Sequence, residues 1–149
     1  MLKQRIITAL ILAPTAILAI FYLPLMYFSA LLLGVVSIGA WEWAPFMGLK
    51  SKLSRGVYTA ITAMLIVVLW YYLSPQQVWN PTTGLSPDAI SILWLSVAWW
   101  GIAAILMFTY PKFTGLWADN TAVIGLLGWL TLIPTWLAFV VLRSHDYQV

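Results

Sequence analysis

Four acidic residues, Glu42, Asp88, Asp119 and Asp146, and one histidine, His145, hold most of what acid–base or metal chemistry this 149-residue chain could do. Their spacing is unfavourable. A magnesium site for nucleotide chemistry brings one or two carboxylates together with phosphates, and no second acid lies close in sequence to Asp119. The chain has no cysteine, which excludes a thiolate metal site and a disulfide framework, and one histidine leaves little for an imidazole site. There is no glycine-rich phosphate loop, zinc-protease helix or nucleophile elbow. No residue is therefore assigned as catalytic, cofactor-binding or metal-ligating, and the substrate-binding residues are unknown.

Each acid has a structural role in its own segment. Asp88 follows Pro87 at the start of an apolar run, where it suits the first turn of a helix. Any of Asp119, Asn120 and Thr121 can accept a hydrogen bond from an exposed amide at the next helix start. Glu42 lies toward a helix C-terminus, whose partial negative charge disfavours a carboxylate. It needs a cation or a longer helix, and Lys50, Lys52 and Arg55 are near enough to make an interface ion pair the expected arrangement. The tail Arg143-Ser144-His145-Asp146-Tyr147 reads as a hydrated exit, although Arg143 could instead hold a lipid phosphate by a bidentate contact.

The elements that must position these residues are hydrophobic. Apolar residues make up 63% of the chain and charged ones 7%, a balance that no water-solvated globular surface carries. A membrane-spanning helix needs about 20 apolar residues, with about 17 as a practical minimum. Five charge-free segments meet that length: Ile6–Leu23, Leu25–Trp41, Val57–Leu73, Ile90–Tyr110 and Val123–Leu142. The expected fold is an all-α polytopic membrane bundle in a single domain, 1–149. Its partners are membrane lipids, and the dispersed basic residues point to anionic lipid and away from nucleic acid.

Lys3 and Arg5 before an apolar run look like the start of a signal peptide, but no A-x-A site follows and the apolar sequence resumes after Pro24. A retained signal anchor is expected. Pro24 breaks what would otherwise be one long helix, while Pro14 and Pro134 lie inside spans and should bend them. Six of the seven basic residues (Lys3, Arg5, Lys50, Lys52, Arg55 and Lys112) fall on one side of the alternating map and Arg143 on the other. The Ser74–Ala89 loop, with Pro75, Pro81, Gly84 and Pro87, has no basic residue. This asymmetry predicts a cytoplasmic N-terminus, with Val149 outside.

Trp41, Trp43, Trp70, Tyr71, Tyr72, Trp79, Tyr110 and Trp117 mark interface belts with hydrated polar atoms. Trp94, Trp99, Trp100, Trp129 and Trp136 lie deeper and are expected to face lipid or pack between helices. Gly34, Ser37 and Gly39, and Gly125 with Gly128, are small enough for close helix approach. Without an ionisable residue in any span, a transporter or channel is disfavoured.

Several stretches together carry a resemblance: Met1-Leu2-Lys3-Gln4-Arg5-Ile6-Ile7-Thr8-Ala9, Ala40-Trp41-Glu42-Trp43, Trp99-Trp100 leading to Tyr110-Pro111, and Leu130-Thr131-Leu132-Ile133-Pro134 running to Leu142-Arg143. The chain resembles the N-terminal half of bacterial phosphatidate cytidylyltransferase, also called CDP-diacylglycerol synthase. The resemblance implies a multi-pass inner-membrane enzyme of phospholipid biosynthesis that joins CTP to phosphatidate and releases pyrophosphate, with magnesium in the intact enzyme. It also implies phosphatidate as a partner, together with a separate catalytic half or a homo-oligomer. The family's later signature, a Lys-Arg and Lys-Asp run followed by His-Gly-Gly and Asp-Arg-x-Asp, has no counterpart here. No catalytic residue is carried over, and the chain is expected to be inactive alone. The alternative is a noncatalytic membrane scaffold or assembly subunit.

Overall fold

The computed structural model describes residues 2–74, 78–80, 82–110, 112 and 120–145, with backbone only at 2–5, 7–9, 12 and 145. Five helices carry the fold: α1 (Leu2–Tyr22), α2 (Leu25–Trp43), α3 (Lys52–Leu73), α4 (Pro87–Phe108) and α5 (Thr121–His145). By length and composition, α2 to α5 can each cross a membrane, while the apolar stretch found in α1 is the shorter Ala13–Tyr22. This is the expected all-α, multi-pass membrane bundle.

Local sequence explains the breaks. Pro24, with φ −54° and ψ 146°, separates α1 from α2, since it cannot continue the hydrogen-bond ladder. A 3-10 turn at Ala44–Met47 extends α2, and Gly48 ends it at φ 80°, a conformation in which a side chain would be strained. Ser51 and Ser86 cap α3 and α4, accepting hydrogen bonds from the amides of Ser54 and Ala89. Both α1 and α5 run on through Pro14 and Pro134, so neither proline ends its helix.

Between α3 and α4, β1 (Trp79–Asn80) pairs antiparallel with β2 (Gly84–Leu85) in a small hairpin that the hydropathy pattern does not announce. Asn80 Oδ1 accepts from the amide and the hydroxyl of Thr82 and thereby fixes the turn. Val78, fully buried, seats the hairpin on the bundle.

Helix α5 is the hub. It runs parallel to α3, because Tyr58, Thr62 and Trp70 meet Gly125, Trp129 and Trp136 in the same order. Against α2 it runs antiparallel: Trp43 bonds near its start at Ile124, and Ser29 bonds near its end at Trp136. Trp99 of α4 reaches Thr131. One cluster, including Val36, Ile66, Leu73, Val78, Trp136 and Val140, packs the C-terminal end of α5, and a second, Ala40, Ala44, Met47 and Tyr58, packs its N-terminal end.

Outside these clusters the bundle is apolar and exposed, as a lipid-facing surface must be. Of the α4 residues only Ala89 is buried, and of the described α1 side chains only Ala19. In water such patches would drive association. In hydrocarbon, van der Waals packing and interhelical hydrogen bonds must hold the helices instead.

Candidate functional site

Polar side chains converge at the N-terminal end of α5, and they do so because two glycines there remove side-chain bulk. A Cβ on Gly128 would strike the Tyr58 hydroxyl and come within 2.6 Å of Trp43 Nε1, and one on Gly125 would lie 2.6 Å from Met47 Cε. The room left lets Tyr58 donate to Gly125 O at 3.0 Å and Trp43 Nε1 donate to Ile124 O at 2.9 Å. Trp129 Nε1 donates to Thr62 Oγ1 at 3.0 Å, and that hydroxyl in turn donates to Tyr58 O. Thr121 donates to Met47 O at 2.9 Å and ties α5 to the 3-10 turn. Each contact satisfies a polar group where water is scarce.

Beside this network, Arg55 Nε donates to Leu49 O at 3.3 Å, and its guanidinium lies 5.9 Å from the ring centroid of Trp41. This corrects the ion pair expected of Glu42. Glu42 is exposed, and among the described residues it makes no salt bridge with Lys50, Lys52 or Arg55. The longer helix relieves its position instead, because the 3-10 turn carries the backbone ladder on to Met47.

Asp88 sits in the first turn of α4, as expected, with Ser86 as the cap. Asn120 supplies the start of α5, its Oδ1 accepting from the amides of Ala122 and Val123 at 3.0 and 3.2 Å. Asp119 and Asp146 lie outside the described residues, as do Trp117, Tyr147, Val149, Pro75, Pro81 and Pro111. Only the backbone of Lys3, Arg5 and His145 is described.

Arg143 is not in a hydrated exit. Helix α5 extends to His145, Ser144 is buried, and Arg143 Nη2 donates to Leu23 O at 2.8 Å, across the turn between α1 and α2. Sequence distance hides that partner. The C-terminal carbonyls of α1 attract a cation once the fold brings α5 beside them.

The tryptophans divide by face. Trp94 and Trp100 are exposed to the lipid side, whereas Trp99, Trp129 and Trp136 pack and donate hydrogen bonds to Thr131, Thr62 and Ser29 O. Trp43 and Trp70, expected in the hydrated belts, instead bind the α5 backbone and lie 5.9 Å from the Trp136 ring, respectively. Tyr71, Tyr72 and Tyr110 are exposed, as belt residues should be. Gly39 approaches α5 closely, with Leu132 Cδ2 3.1 Å from a Cβ placed there, but Gly34 has nothing within 4 Å and makes no close approach. Tyr58 and Thr62 are the network members that sequence reasoning passed over. Their spacing of four on one helix face was the available signal.

Among the described residues no group of three or more His, Asp or Glu side chains could hold a metal. Glu42 lies toward the N-terminal end of α5 and Asp88 toward its C-terminal end, so these two do not fit a magnesium site. Nor, among the described residues, is there a nucleophile beside a base. The arrangement can hold helices in register and offer surfaces to lipid.

Comparison with known proteins adds an independent finding. The profile of a family described as "Cytidylyltransferase family" matches residues 3–147. A phosphatidate cytidylyltransferase of Pseudomonas aeruginosa is 38% identical over 144 residues, covering 97% of this chain and 48% of the relative. The enzyme of the same name from Haemophilus influenzae is 32% identical over 151 residues, covering 99% of this chain and 50% of the relative. The chain thus spans about half the length of the curated relatives it matches. No solved structure matches it.

Proposed function

This chain belongs to the cytidylyltransferase family, and from that membership we propose that it supplies the front membrane half of a phosphatidate cytidylyltransferase. The reaction of the whole enzyme joins the phosphate of phosphatidate to the cytidylyl group of CTP, giving CDP-diacylglycerol with loss of pyrophosphate. In this reading the 149 residues form a lipid-embedded support, against which the parts that bind CTP and magnesium are assembled. The remaining half of the family's length would complete it.

The observation that carries the proposal is the match along nearly the whole chain to half of each relative. The site geometry supports the division of labour. Phosphoryl transfer is achieved mainly by alignment and charge neutralisation, and the described polar groups here are engaged in helix-to-helix hydrogen bonds. The proposed location is the inner membrane with the N-terminus cytoplasmic. Its support is the charge asymmetry, together with an antiparallel arrangement that sets Lys50, Lys52, Arg55 and Lys112 at one end of the bundle and Arg143 at the other.

The test is a labelled-CTP assay on the purified 149-residue protein in bilayers containing phosphatidate. No CDP-diacylglycerol above background is expected from the chain alone. Robust turnover without any other polypeptide refutes the proposed support role. A stable complex with unrelated proteins, found by co-purification, would favour a general scaffold.

A further inference from the structure

An open groove of about 420 Å³ runs between α4 and α5, lined by Trp99, Ala103, Leu106, Met107, Tyr110 and Leu127. Among the described residues no charged side chain lines it. Trp99, one of its lining residues, donates Nε1 to Thr131 Oγ1 at 3.2 Å, so its indole N–H is already engaged. At the other end Tyr110 is 68% exposed, and Lys112, exposed in the turn after α4, donates its amide to Thr109 O at 2.9 Å. Lys112 makes no salt bridge among the described residues.

The dimensions select an occupant. From Trp99 to Tyr110 the groove follows α4 for roughly 15 Å at about 1.5 Å per residue, which is half of a hydrocarbon core about 30 Å thick. That half-bilayer length and an apolar lining match the hydrocarbon of one leaflet. A single extended acyl chain of one leaflet fits. With Tyr110 at headgroup depth, Lys112 is placed to meet a phosphate, and its charge complements an anionic lipid.

We infer that the α4–α5 groove holds one acyl chain of an anionic phospholipid, with its headgroup phosphate at Lys112. The inference does not rest on the proposed support role, since lipid occupancy is read without CTP and its failure would leave the activity test untouched.

The experiment uses the whole chain in nanodiscs containing a phosphatidylglycerol or a phosphatidylcholine with a photoreactive group in mid-chain, with cross-links mapped by mass spectrometry. Cross-links should concentrate on Ala103, Leu106 and Leu127. Ala103→Trp, which fills the slot, should reduce them about ten-fold, whereas Val97→Trp, on an exposed part of α4 outside the lining, should not. Lys112→Ala should abolish an anionic preference of about five-fold, the worth of one lysine near an anionic surface. Cross-links spread evenly over exposed α4 residues overturn the inference even if Ala103→Trp fails to fold. So does equal labelling by the two lipids, or a photoreactive residue at position 103 that captures a second copy of the chain instead of lipid.

Discussion

The rings of Tyr58 and Trp129 stack nearly parallel, 6° apart with centroids separated by 5.7 Å, and each ring also bonds the other's helix. Tyr58 donates to the α5 backbone at Gly125, and Trp129 donates to Thr62 of α3. Two parallel helices are thereby locked in rotation and register at once. Tyr58→Phe keeps the stack and loses the hydroxyl donor, so it should destabilise by about 0.5–1.5 kcal/mol. Trp129→Ala removes stack and bond together and should cost clearly more; equal losses in reversible unfolding in detergent would show that the stack contributes nothing.

Gly128 and Gly34 separate packing from intrinsic helix preference. A methyl group at Gly128 meets Tyr58 and Trp43, whose rings are held by their own hydrogen bonds, so Gly128→Ala should cost about 1–3 kcal/mol. Gly34→Ala meets nothing within 4 Å and should be neutral or stabilising by up to about 1 kcal/mol. Paired thermal-shift measurements check the contrast, and similar values for both would sink it.

Thr59 and Thr62 lie on the same helix with opposite hydrogen-bond status. Thr59 Oγ1 is buried without a partner among the described residues, whereas Thr62 Oγ1 bonds both Trp129 and Tyr58 O. Replacing Thr59 by valine removes an unsatisfied hydroxyl and should be neutral or slightly stabilising. Thr62→Val leaves Trp129 Nε1 without its acceptor and should cost about 1–2 kcal/mol. Chemical denaturation of both variants decides, with the opposite ranking excluding this account.

Arg143 ties the end of α5 to the turn at Leu23. Arg143→Gln loses the charge-assisted part of that bond, and its half-buried setting places the cost near the lower end of about 1.5–3 kcal/mol. Protease cleavage near Leu23 and Pro24 should accelerate, with Arg143→Lys intermediate. Unchanged cleavage in both variants would mean that the turn is held by other contacts.

The absence of native cysteine allows a direct topology measurement. Single cysteines replacing exposed Ser51 and exposed Thr83 should be labelled from opposite faces of sealed vesicles, and Lys112→Cys should behave as Ser51→Cys. Same-side labelling of positions 51 and 83 contradicts the alternating arrangement.

The sequence by itself determined the five helices but not all of their limits: the charge-free run Val57–Leu73 begins five residues after α3 does at Lys52, because the helix runs on through Arg55. Hydrocarbon thickness sets the length of an apolar run, and prolines, glycines and serines punctuate it locally, so Leu25–Trp41 was legible as α2 to within two residues of its end at Trp43. Membership of the family was also legible, because scattered motifs retain their order along the chain. Tertiary structure alone decided which polar atoms are satisfied across helices. Trp43 and Ile124, Arg143 and Leu23, and Trp136 and Ser29 are far apart in sequence and share no local pattern. Within a bilayer, apolarity does not distinguish the lipid-facing side of a helix from its packed side, since lipid tails are as apolar as leucine. Gly34 and Gly128 therefore look alike along the chain, and only the neighbour that each meets assigns one to lipid and the other to the helix interface.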